Sequence, residues 1–169
     1  KQRKEITLMK TKLIKSIMAS LVVACASLAM VAATASGQGT QGGTLRGTWE
    51  MQITLTDCAG HVIRSFPSLI EYAAGGTVVE SNGGTPQALK TPGEGVWRHT
   101  TNNNYAFRFK FFTFNSLNVF TGWTIIAGET TVDSTENANT GSATVKVYAP
   151  NGVLLATVCA ETAGTRFEL

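Results

Sequence analysis

The amino-acid sequence predicts an all-β fold: a single eight-stranded antiparallel barrel in up-and-down order, preceded by an N-terminal signal helix. Three observations predict it. Apolar and polar residues alternate after residue 44, as in the run Trp49, Met51, Ile53 and Leu55, and no segment there has a helical period. Short clusters of Gly, Asn, Asp and Pro separate these runs as turns. Two cysteines fall near the first and last runs, which a closed sheet would bring together.

The N-terminal segment has the pattern of a secretory signal. A basic stretch at 9–15 precedes an apolar stretch at 17–33, and Ala33-Thr34-Ala35 supplies small residues for cleavage. We expect translation to start at Met9, cleavage to follow Ala35, and residues 1–35 to be a signal peptide. The mature protein is then exported to the periplasm or the extracellular space and has no membrane partner after cleavage.

Two other fates of this segment stay open. The apolar stretch approaches the length of a membrane span and would then anchor the chain. Val22-Val23-Ala24-Cys25 also resembles the lipobox of bacterial lipoproteins, in which the cysteine carries the lipid.

Charge separates the leader from the rest of the chain. Six of the 14 Lys and Arg residues lie in the first 15 positions, which leaves eight basic against ten acidic residues from Ser36 onward. Phosphate binding needs clustered Lys and Arg, so we expect no nucleic-acid partner. Residues 36–44 are a Gly-rich flexible linker by composition, and 45–169 form the predicted barrel domain.

Eight strands follow from the alternation and the turns. They are predicted at 48–56, 61–72, 77–80, 95–100, 105–114, 119–132, 142–149 and 153–166. Short connections favour pairing of each strand with the next, and eight strands suffice to close a small barrel without free edges. Pro67 predicts a bulge or an unpaired position, and 82–94 is the longest irregular loop. A sandwich of two sheets is the alternative.

The two cysteines of the mature part predict a disulfide that closes the barrel. Cys58 and Cys159 are an even pair in an exported chain. If they face each other, Met51 lies opposite Arg166 and Leu55 opposite Thr162. The apolar residues of the first and last strands then share one face. Two buried free thiols are the alternative.

Short motifs at the two ends of the domain resemble a known family. Gly47-Thr48-Trp49 opens the first strand and Thr165-Arg166 closes the last, which is similar to the lipocalin and calycin pattern. The resemblance implies a structural group at the closed end of the barrel, in which Arg166 packs over the Trp49 indole beside Gly47. The chain also resembles uncharacterised exported bacterial barrel proteins, through these motifs, Gly75-Gly76-Thr77 and Gly95-Val96-Trp97.

Aromatic residues provide the functional hypothesis. The strand predicted at 105–114 carries four aromatic rings on one face, and two tryptophans are expected to lie with them inside the barrel. The predicted ligand-binding residues are Trp97, Tyr105, Phe107, Phe109, Phe111 and Trp123. They form either the wall of a pocket for a small apolar molecule or a filled core. In the second case the protein is a structural or interaction protein that acts through its outer surface.

The polar residues form no recognisable metal-binding or catalytic motif. His61 and His99 are the only histidines, so we expect no metal site, no cofactor and no catalytic residue. Glu94, His99 and Tyr105 would suit an acid/base group if they met near the barrel mouth, as in a cofactor-free isomerase or cyclase, the third possibility. Phe112 and the nearby Phe114 are expected to face outward, where they would form a homodimer surface.

Overall fold

The computed structural model describes residues 45–169; the predicted signal peptide and linker lie outside the described residues. The strands are β1 (Gly47–Thr56), β2 (Val62–Ala73), β3 (Thr77–Asn82), β4 (Gly93–Thr101), β5 (Asn104–Phe114), β6 (Phe120–Val132), β7 (Ala138–Tyr148) and β8 (Leu154–Arg166). A single 3-10 turn, Gln87–Leu89, lies in the long loop between β3 and β4. No helix among the described residues is long and apolar enough to cross a membrane.

The eight strands form one closed antiparallel barrel in sequential order, with β8 pairing back to β1. The predicted up-and-down barrel is therefore confirmed, and a two-sheet sandwich is excluded. The largest difference in strand bounds is in β7, which begins at Ala138 rather than at residue 142. Asn139 and Thr140 near its start are polar, yet they extend the ladder to β6 by pairing with Val132 and Thr131.

The Cys58–Cys159 disulfide is confirmed, but the predicted register between β1 and β8 is wrong by two residues. Trp49 lies opposite Arg166, and Cys159 lies opposite Thr56 rather than Cys58. Cys58 follows the end of β1 with a φ of 65°, and its Cα lies 4.9 Å from that of Cys159. The bridge therefore joins a turn to a strand. Since the slip is an even number, the inward and outward faces are as predicted.

The two ends of the barrel differ in their closure. We call one the closed end, where the turns at 74–76, 102–103 and 133–137 lie with both ends of the described chain. The other, the open end, carries the loops 57–61, 83–92, 115–119 and 149–153. The largest side chains with under 2% exposure belong mainly to strand segments at the closed end: Leu45, Trp49, Tyr72, Val78, Tyr105 and Val132.

Candidate ligand-binding cavity

A cavity of about 230 Å³ occupies the barrel interior toward the open end. Its walls come from inward-facing residues of β1, β2, β3, β5, β6, β7 and β8. Most of these side chains are apolar. The residues used below are Phe107, Phe109 and Phe111 on β5, Ile126 on β6, Ala143 and Val145 on β7, and Val158 and Ala160 on β8.

The cavity exists because large inward side chains on one wall face small ones on the other. Phe107 and Phe109 stack with ring centroids 6.1 Å apart on β5. Ala143 and Ala160 oppose each other on β7 and β8 and line the same space. Space for the Phe109 ring is made on its own side by Gly93, where a Cβ would lie 2.7 Å from the ring.

One polar cluster interrupts the apolar wall. Glu80 and Lys90 are 3% and 5% exposed, and Lys90 Nζ lies 3.0 Å from Glu80 Oε2. The Asn82 amide donates to Glu80 Oε1, and Ser68 Oγ lies 3.4 Å from that oxygen and 3.1 Å from the Ser81 carbonyl, to either of which it can donate. Lys90 Nζ also lies 4.7 Å from the centre of the Phe111 ring. The cation is thus held by a carboxylate and an aromatic face, while Glu80, Ser68 and Asn82 line the cavity.

The loop 83–92 brings Lys90 into the barrel and covers part of the cavity mouth. The backbone of Gly84 lies against the Phe66 ring so closely that a Cβ there would be 2.6 Å from it. Arg64 Nη1 donates to the Gly84 carbonyl. At the other side of the loop, Thr91 N donates to the Phe112 carbonyl at 3.0 Å. The loop is therefore fixed to β2 and to β5.

A layer of rings forms the floor between the cavity and the closed end. Tyr72 meets Trp97 edge to face at 5.9 Å, and Trp97 lies 5.8 Å from Tyr105. Trp97 Nε1 donates to the Ala73 carbonyl at 3.0 Å. Burial raises the pKa of Tyr72 well above its usual range. Trp97 and Tyr105 face inward as predicted, but they lie in this floor and outside the cavity lining.

Trp123 is on the outer face of the barrel, so its predicted place in the interior is wrong. It pairs with Phe112 on β5 and Tyr148 on β7 and stacks on the Tyr148 ring at 5.7 Å. The inward residues of β6 are Thr124, Ile126 and their even-numbered successors. Adjacent Ile125 and Ile126 are both apolar, so alternation alone did not determine which face of this strand is buried.

The acid/base group considered from the sequence does not assemble. Glu94 is exposed on the outer face of β4 near the open end. His99 lies near the closed end, where its ring contacts Tyr105 and its Nε2 meets the Asn102 carbonyl. Residues 93–101 alternate faces, so positions 94 and 99 point to opposite sides. Within residues 45–169, no group of three His, Cys, Asp or Glu side chains could hold a metal ion.

The closed end holds the predicted structural group. The Arg166 guanidinium lies 4.3 Å from the Trp49 ring centre and donates to the Arg46 and Glu136 carbonyls. Trp49 Nε1 donates to the Leu45 carbonyl at 2.8 Å. Gly47 has a φ of 126°, and a Cβ there would lie 2.9 Å from Arg166 Nη1. Glycine at this position therefore lets the guanidinium reach the indole.

Sequence reasoning missed the polar cluster. Glu80 stands two residues after Val78 and so shares its face of the strand, but a lone acid at a strand end is usually exposed. Lys90 lies in a loop without periodicity, so nothing in the sequence placed it in the barrel. Only the closed fold brings the two together.

The chain matches none of the protein-family models, and no curated protein sequence matches it.

Proposed function

We propose that the protein is an exported barrel that binds one small, mainly apolar molecule in the cavity. The observation that carries this is the mainly apolar, ring-lined space of about 230 Å³ beside a single buried carboxylate. An apolar cavity of about 150 Å³ stays free of water and admits benzene. The larger cavity of this barrel suits one substituted ring or a short branched chain. Its volume is below the usual range for pockets that hold drug-sized ligands.

The polar cluster defines one hydrogen bond of that ligand. Asn82 and Lys90 already donate to the Glu80 carboxylate, and the Ser68 hydroxyl shares its one hydrogen between Glu80 Oε1 and the Ser81 carbonyl. A carboxylate has about four acceptor positions, so one is left for a donor from the cavity. The favoured ligand is therefore an apolar ring or chain that carries a hydroxyl, amine or amide N–H group. An apolar molecule that carries only hydrogen-bond acceptors would have no donor to offer the carboxylate oxygens.

Export and family are part of the same proposal. A disulfide that spans 101 residues is typical of oxidising compartments, which supports a periplasmic or extracellular protein. The Arg166–Trp49 contact at the closed end supports the resemblance to lipocalins and calycins. Neither identifies a ligand, because one barrel fold serves many functions.

The test is a titration with an environment-sensitive hydrophobic dye of the wild type and two leucine variants. Ala143→Leu extends a side chain into the cavity, and Ala127→Leu adds the same group on the exposed outer face of β6. We expect saturable binding by the wild type and Ala127→Leu, and at least about tenfold weaker binding by Ala143→Leu. Equal binding by all three would place the dye outside the barrel and reject the proposal.

A further inference from the structure

Exposed apolar side chains gather at the open end. Within residues 45–169, fourteen large apolar side chains are exposed, and nine of them belong to open-end loops or to the strand segments beside them. The most exposed of these nine are Leu117 at 81%, Val62 at 65%, Leu155 at 62% and Val119 and Val153 at 55% each. Scattered single apolar residues are normal on a surface, but a concentration at one end marks a contact site.

On the outer face, a row of aromatic rings lies further from the open end than these exposed aliphatic side chains, which we call the aliphatic tips. Phe112, Trp123 and Tyr148 occupy paired positions on β5, β6 and β7. Phe120 extends the row, with its ring 6.0 Å from Phe112 and 6.5 Å from Trp123. The β7–β8 turn reaches the same row, since a Cβ on Gly152 would lie 3.9 Å from the Trp123 ring.

A basic row follows two residues further from the open end. Lys110 and Lys146 flank Ile125 at paired positions of the same three strands, both lysines are exposed, and the exposed Glu94 of β4 lies opposite Lys110 at the edge of the row. Lys110 Nζ lies over the Phe112 and Trp123 rings at 4.9 and 4.6 Å. The outer face therefore changes from aliphatic to aromatic to basic with distance from the open end.

The charged residues of the whole barrel are also distributed unevenly between its two ends, with the more positive half at the open end. Arg108 and Glu161 lie near mid-height. Of the other charged residues, four basic and three acidic ones lie nearer the open end, against three basic and six acidic ones nearer the closed end. The open half thus has a net charge of +1 and the closed half −3.

From this order of layers we infer that the open end of the barrel docks on an anionic lipid bilayer. Aliphatic tips enter the acyl region, Trp and Tyr rings lie at the headgroup level, and lysines meet anionic headgroups. A second copy fits less well, because an end-to-end dimer through the aliphatic side chains would leave the aromatic and basic rows outside the contact, whereas a bilayer would engage all three layers. The inference departs from the expectation of no membrane partner, and it does not require the cavity to hold a ligand.

The experiment measures vesicle binding by the exported protein, with the N-terminus of the purified chain sequenced first. Vesicles of phosphatidylglycerol and phosphatidylcholine are compared with phosphatidylcholine alone. The first variant, which we call the rim variant, replaces two exposed apolar side chains beside the open-end loops: Phe120→Ser with Leu154→Ser. Its matched control is Val79→Ser with Val96→Ser, which removes two exposed apolar side chains from the outer face of β3 and β4. Leu117→Ser, in a turn and 81% exposed, is a second rim variant that leaves the strands intact.

We expect binding to the anionic vesicles, at least about tenfold weaker binding by the double rim variant, and an unchanged control. Lys110→Gln should weaken binding about fivefold on anionic vesicles only. Trp123 is the only tryptophan on the outer face, so a blue shift of its emission on vesicles should vanish in Trp123→Phe.

Three results would overturn the inference. One is no binding to anionic vesicles at low salt. Another is equal weakening in the rim and control variants, with Leu117→Ser unchanged. The third is a dimer in sedimentation that the rim variant dissociates while no vesicle binding occurs, which would make a second copy the occupant of this face.

Discussion

The closed end and the open half of this barrel use the same strands but fill their interior differently. Toward the closed end, Tyr72, Trp97 and Tyr105 come from three strands, and the Trp97 ring packs against the other two. In the open half, the rings of β5 face Ala143 and Ala160 across an empty space. The same alternation of inward and outward residues forms both regions. The size of the inward side chains decides whether a region is packed as core or leaves a cavity.

Polar groups show the same contrast. At the closed end, Trp49 Nε1 and the Arg166 guanidinium donate to backbone carbonyls, and the buried Asn139 Nδ2 has no hydrogen-bond partner within residues 45–169. In the open half, the buried Glu80 carboxylate lines the cavity. A buried charge is costly unless it is well paired, and here Lys90 and Asn82 donate to it. The proposed ligand binding therefore belongs to the open half.

Removing the disulfide should have the largest effect and should act on both regions. The chain-entropy account gives about 4–5 kcal/mol for its 101-residue separation. Cys58→Ser or Cys159→Ser should lower the free energy of unfolding by about that amount in a urea titration, with strand content unchanged by circular dichroism. Free labelling of both thiols in the native oxidised protein would show that the bridge does not form.

Shortening one large side chain in each region tests the contrast itself. Trp49→Ala should cost about 3–5 kcal/mol, because the indole is fully buried among packed atoms and Arg166. Phe109→Ala should cost less, because one side of its ring already borders empty space. Phe109→Ala should also change the dye affinity, whereas Trp49→Ala should leave it unchanged if the variant folds. Paired urea and dye titrations check this, and equal costs would mean that the open half is packed as tightly as the closed end.

The smallest predicted effect concerns the floor between the regions. Because burial raises the pKa of Tyr72, the folded barrel keeps a proton that the unfolded chain loses above about pH 10. The stability from this group is complete below that pH and falls as the pH rises, by up to about 1.4 kcal/mol per pH unit. Tyr72→Phe should flatten this fall between pH 10 and 11 in thermal melts. An unchanged slope would mean that the hydroxyl meets solvent.

Sequence reasoning reached the barrel, the disulfide and the inward face of β5, and it failed where a property depends on side-chain size or distant contacts. The run Tyr105, Phe107, Phe109 alternates strictly, so its buried face could be predicted. Trp123 could not be placed, because Ile125 and Ile126 leave its strand without a clear alternation.

The register of β1 and β8 was missed for a similar reason. Cys58 lies in a turn with positive φ, and the sequence pattern does not reveal that turn. The Glu80–Lys90 pair joins a strand to an irregular loop, so it is visible only after the loop has folded into the barrel.

The most direct test of the cavity in the open half is a methyl NMR titration with phenol, a single ring that carries one donor. We predict saturable shifts of the Ala143 and Ala160 methyl signals, with Val132 and Leu45 at the closed end unchanged. Toluene, which has the same ring and no donor, should bind more weakly to the wild type. The account is contradicted if Ala143 and Ala160 show no saturable shift, or if the closed end responds as strongly as the open half.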